Sequence, residues 1–167
     1  LVLMPGGLLE GVLSPYVGRL YDQHGPRPLV VSGMVVATGS LFWLATVDEN
    51  TGVGMLVAVH VIFSIALALL FTPLITTALG SVPKNLYGHG SAIMNTLQQL
   101  AGAAGTAVMI AVYSTVSQTG MSHGVNEQVA LADGANSAFF ACACVAAVAL
   151  IFSLFITRVP QYADEAE

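Results

Sequence analysis

Glu10 and His60 are ionisable side chains set deep inside long apolar runs, and they are the first places to look for chemistry. An ionised group at the centre of a bilayer costs about 2.5 to 3.5 kcal/mol on insertion scales, so such residues usually face a helix bundle or a wet cavity. Glu10 shares a helix face with Gly6 and Ser14, and near mid-depth its carboxyl could load and release a proton or sit silently in a bond to a neighbouring helix. His60, with Ser64 one turn further on, lies shallower in its run and reads better as a hydrogen-bonded imidazole between helices. A third polar group is Asn95, Gln98 and Gln99. Three amides within about one turn need partners if lipid surrounds them, and they point equally to a substrate cavity and to an interhelical network. Cys142 and Cys144 stand two apart in ACACVAAVALIFSLFI, on different sides of a helix, and so make no metal pair. No Ser/His/Asp set, paired carboxylates or metal-ligand cluster lies on one face, so neither an enzyme nor a resident cofactor or metal is expected.

These residues must be positioned by membrane helices. Hydrophobic residues make up 56% of the 167 and charged residues 8%, against about 25% charged in a soluble domain, and the mean hydropathy is +0.81. A soluble globule is excluded. With Lys+Arg 4 against Asp+Glu 9 there is no basic surface to neutralise a run of phosphates, so nucleic acid is not an expected partner. Apolar stretches of about 20 residues match a hydrocarbon core of roughly 30 Å. The sequence divides into such stretches at residues 1–17, 28–47, 53–79, 91–117 and 135–157. Lipid cannot satisfy open backbone groups, so the expected fold is all-α, a polytopic transmembrane bundle of about five spans. Residues 1–160 would form one partial C-terminal transmembrane domain, and 161–167 an acidic cytoplasmic tail.

The polar breaks GRLYDQHGPRP, DENTG, SVPKNLYGHG and SQTGMSHGVNEQVALADG are rich in helix-ending residues. Arg19, Arg27, Lys84 and Arg158 fall on one side of the alternating spans, whereas Asp48, Glu49, Glu127 and Asp133 fall on the other. The positive-inside tendency then puts the C-terminus in the cytoplasm. Leu1 already lies in an apolar run with no charged lead-in, which reads as a piece of a longer protein. Gly7 and Gly11 form a G-x-x-x-G packing pair, Gly102 and Gly105 offer a small-residue surface, and Pro73 is expected to kink the third span.

The first break is the densest pattern: Gly18, Leu20, Asp22, Gly25 and Arg27, spaced G-x-L-x-D-x-x-G-x-R. By itself it could be a tight positive-inside turn with an incidental acid. GRLYDQHGPRPL, however, resembles the cytoplasmic loop signature of the major facilitator superfamily, in the version found in the second half of those transporters. Residues 83–108, PKNLYGHGSAIMNTLQQLAGAAGTAV, are similar to a loop and span of its drug:proton antiporters of the fourteen-span branch. Gln23 stands where the signature usually has a basic residue, and Tyr21 where a small one is common.

The resemblance implies a multi-pass protein of the bacterial plasma membrane, completed by an N-terminal half of the same chain. It implies that two halves rock about a midplane site while a proton gradient drives a drug or other small amphipathic compound outward. Gly18, Asp22, Gly25 and Arg27 match the switch that locks the halves together. Two alternatives stay open: an importer of a sugar or organic acid in the same superfamily, and a membrane anchor subunit that transports nothing.

Overall fold

A computed structural model describes residues 4–48 and 51–156. Among them are five α-helices: α1 Met4–His24, α2 Pro26–Leu44, α3 Val53–Gly80, α4 Tyr87–Ser122 and α5 Glu127–Ser153, with a short 3-10 turn, Lys84–Leu86, before α4. The described residues contain no strand. The expected all-helical bundle is therefore the observed one, although its helices run past several of the span limits read from hydropathy. By length and composition α2, α3, α4 and α5 are each apolar enough to cross a membrane. α1 is not among them: Glu10, Ser14 and Arg19, with several glycines and prolines, dilute its apolar residues along its whole length. Arg158 and the tail lie outside the described residues.

Helix ends follow the local chemistry. Gly25 alone separates α1 from α2; its φ of 79° turns the chain, and its N–H donates to the Tyr21 carbonyl at 2.8 Å. Such a positive φ is cheap only without a Cβ. Pro26 then opens α2 with its ring-fixed φ and no N–H to orphan. Gly124, also at φ 79°, ends the α4 turn, and Asn126 caps α5 by accepting from the Gln128 N–H at 2.9 Å. The signature residues 18–24 are thus the last turns of a helix, and the loop itself is one residue long.

The helices pack as a row in the order α1, α3, α2, α5, α4: α3 lies between α1 and α2, α5 between α2 and α4, and α4 barely meets α3. The core sits at α2 and α3, where Val30, Ala37, Ala66 and Leu70 are buried together. Gly33 makes that approach possible, since a Cβ there would lie 2.9 Å from Leu70 Cγ and 3.1 Å from the Ala66 carbonyl oxygen. Lipid tails are as apolar as leucine, so this close fit, and not water exclusion, holds the pair. Phe42 and Phe140 meet edge to face at 6.0 Å between α2 and α5. α4, at 36 residues, is about 54 Å long. Its length exceeds the hydrocarbon core, and only Ser117 along it is buried.

Candidate functional site

α1 and α3 run parallel and present matching polar faces. On α1 the face is Gly6, Glu10, Ser14 and Tyr21; on α3 it is His60, Ser64, Ala68, Thr72 and Thr76, a side chain every fourth residue. Spacings of four, and of seven from Ser14 to Tyr21, keep these groups on one stripe of each helix. Close approach is set at Gly6, where a Cβ would meet the Ser64 hydroxyl and lie 2.8 Å from His60 Nε2. The pair expected at Gly7 and Gly11 does not do this: a Cβ at either position would meet nothing within 4 Å among the described residues. The reason is chemical. Polar groups gain more by facing one another than lipid, so the Gly6, Glu10 and Ser14 face turns to α3 and takes the next-door glycines to the other side.

Down this seam the Ser14 and Thr72 hydroxyls lie 3.3 Å apart, and the Tyr21 and Thr77 hydroxyls 3.2 Å apart. Ser64 Oγ donates to the His60 carbonyl at 2.9 Å and Thr76 Oγ1 to the Thr72 carbonyl at 2.8 Å. Each such hydroxyl has used its proton on its own helix and keeps an oxygen free to accept. Between the helices is a cavity of about 250 Å³ lined by Glu10, Ser14, Ala68, Phe71, Thr72, Ile75 and Thr76. Pro73 is buried in this stretch of α3, and its missing N–H leaves the Leu69 carbonyl without its helical donor. Glu10 is half-buried and shares with three hydroxyls the lining of a space roomy enough for several waters. Thr72 and Thr76 escaped the sequence reading; their spacing from His60 and Ser64 was the available signal.

Asp22 and Arg27 are exposed on either side of Gly25, with Gly18 one turn before Asp22 on α1. Arg19, Arg27 and Lys84 share one end of the row, while Asp48 and Glu127 share the other.

Asn95, Gln98 and Gln99 lie elsewhere. They are exposed on α4, at the opposite edge of the row from Glu10, and the structure does not bring the two groups together. Further along the same α4 stripe, Thr106, Met109 and Tyr113 do meet another helix. With Ala135, Ala138 and Phe139 of α5 they line a cavity of about 310 Å³. Tyr113 comes close because α5 offers Gly134, where a Cβ would lie 2.8 Å from the Tyr113 carbonyl oxygen.

Long apolar helices, a polar seam inside them and an open cavity define a multi-pass membrane protein. A family comparison is specific: the Major Facilitator Superfamily profile matches residues 6–167. The chain belongs to that superfamily, a family of transporters and not of enzymes. It is 40% identical over 163 residues to the lincomycin resistance protein LmrB of Listeria monocytogenes, covering 95% of this chain and 35% of that protein. The LmrB of Bacillus subtilis is 37% identical over 165 residues, covering 95% of this chain and 34% of its own length. The riboflavin transporter RibZ of Clostridioides difficile is 26% identical over 154 residues, covering 90% and 33%. The chain therefore spans about a third of the curated relatives it matches. No solved structure matches.

Proposed function

We propose that this chain is the C-terminal part of a proton-coupled exporter of drugs or other small amphipathic compounds, working by alternating access in a bacterial plasma membrane. The observation that carries the reading is the 40% identity to a lincomycin resistance protein across 95% of the chain. In this reading the end bearing Arg19, Arg27 and Lys84 is cytoplasmic, in keeping with the positive-inside tendency, and the C-terminus is cytoplasmic with it. The missing N-terminal half of the same chain supplies the other wall of the substrate site.

The chain's residues then divide the work. Gly18, Asp22, Gly25 and Arg27 form the switch: the one-residue link at Gly25 makes α1 and α2 move together, and Asp22 and Arg27 are exposed on either side of it. Asn95, Gln98 and Gln99 border the substrate cavity, continuing the stripe of Thr106, Met109 and Tyr113 that already lines a cavity with α5. Glu10 carries a proton, because it is a half-buried carboxyl that lines a cavity with three hydroxyls. The driving force is the proton gradient, and no cofactor is needed.

Everted membrane vesicles carrying the full-length parent test the function. An interior-acid gradient should drive accumulation of a lincosamide, and an ionophore that collapses the gradient should abolish it. Accumulation indifferent to the gradient would refute proton-coupled export. RibZ favours one other reading, a nutrient transporter of the same fold; accumulation of a vitamin by intact cells in place of drug extrusion would favour it.

A further inference from the structure

We propose that the seam between α1 and α3 is a proton path of its own, separate from the substrate cavity. It would link Glu10 to the end of the bundle bearing Arg19 and Arg27 through Ser14, Thr72, Thr76 and bridging water, with the Tyr21–Thr77 hydrogen bond as its gate. The proposal rests on the reading that Glu10 couples transport to protons.

Glu10 lies eleven residues before Tyr21 on α1, or about 16 Å by helix rise. A proton released at that depth must cross the distance on hydroxyls or water, since hydrocarbon offers it nothing. The seam supplies hydroxyls along the way, with water joining those that do not touch. Ser14 is one turn from Glu10, Thr72 is 3.3 Å from Ser14, Thr76 is one turn beyond Thr72, and Thr77 carries the last bond to Tyr21 at 3.2 Å. Serine and threonine hydroxyls in membrane helices often do no more than glue neighbours together. Glue would close the gap. Here the same hydroxyls surround about 250 Å³ of open space beside the one carboxyl of α1 that sits away from its ends. Phe71 and Ile75 narrow that space without offering a competing base. Tyr21, where a small residue is common in the signature, is buried, and its hydroxyl meets Thr77 just before the exposed turn at Asp22.

The charged and titratable groups on the helices packed against α1 are few. α3 carries His60, set toward the opposite end of the seam against Gly6, and α2 carries Arg27 at its start. Along α1 itself Tyr16, Arg19, Tyr21, Asp22 and His24 all lie toward the gate end. In the release step the O–H bond of the Glu10 carboxyl breaks and its proton passes to cavity water, leaving a carboxylate. Each hydroxyl or water then accepts a proton on one side and passes its own to the next, Thr76 doing so as its O–H rotates off the Thr72 carbonyl. The last proton enters bulk water when the Tyr21–Thr77 bond opens, and the hydroxyls reset by rotation.

The test uses the full-length parent in liposomes, with a lincosamide as the substrate and a pH-sensitive dye to follow release. Thr72→Val removes the hydroxyl and keeps the shape, and should slow lincosamide-evoked proton release by about tenfold or more while equilibrium lincosamide binding is unchanged. Thr72→Ser should restore the rate, which separates relay from packing. Tyr21→Phe should raise the proton leak without substrate. If Glu10→Gln abolishes release but Thr72→Val and Tyr21→Phe behave as the parent, the seam is overturned and Glu10 takes its proton by another route. If Glu10→Gln releases protons normally, the coupling role of Glu10 falls and the seam falls with it.

Discussion

The α1–α3 seam and the α4 stripe hold similar amounts of polar chemistry and treat it in opposite ways. In the seam, hydroxyls bond across helices, Gly6 lets the backbones close in, and Glu10 lines a cavity together with residues of α3. On α4, Asn95, Gln98 and Gln99 are exposed, and among the described residues none hydrogen-bonds another helix. An amide left in hydrocarbon is costly. The seam is closed by contacts between two described helices, whereas the amides of the α4 stripe meet no second helix among the described residues. In the account proposed here the seam handles protons and the stripe handles substrate.

The sharpest way to break this comparison is steric. Gly6→Leu in the full-length parent should destabilise the protein by about 1 to 3 kcal/mol, because the new side chain collides with Ser64 and His60; thermal unfolding in detergent reads it. Gly7→Leu, facing open space, should cost less. Equal losses would mean that the seam is not the tight contact described.

The switch is next in size. Asp22→Asn keeps shape and loses charge, and should lower transport turnover by about fivefold to tenfold with normal folding and insertion. Unaltered turnover in vesicles at normal expression would remove Asp22 from any switching role.

Smaller and more selective effects belong to α4. Asn95→Leu and Gln98→Leu should each change the relative export of different compounds by a few-fold, about 1 kcal/mol of discrimination. Gly102→Ala, which meets open space here, should scale all compounds together. A uniform loss from the amide variants would leave them a packing role only. Orientation is tested by labelling intact cells with a membrane-impermeant thiol reagent: Glu127→Cys should react and Lys84→Cys should not, and the reverse would invert the topology.

Much of the fold was legible in the sequence because apolar length alone dictates membrane helices, and Gly25, Pro26, Gly124 and Asn126 end and start them by local chemistry. The site was legible in part. Glu10, Ser14, His60 and Ser64 were visible as polar residues in apolar runs, but their joining into one seam depends on α1 packing on α3, its neighbour but one in the chain, and no local pattern announces that choice. Spacing by itself favoured Gly7 and Gly11 as a contact surface. The neighbouring face prevailed because it carries the carboxyl and hydroxyl that need partners. The helical continuation of α1 to His24 was also missed, since Tyr21, Asp22 and Gln23 look like a loop while being compatible with a last helical turn.

The central claim is that Glu10 holds the coupling proton. Glu10→Gln resembles the protonated acid in size and hydrogen bonding, so the full-length variant in liposomes should bind substrate with unchanged affinity and yet release no protons when substrate is added. Proton release at the parent's rate and stoichiometry from the same liposomes would contradict the account.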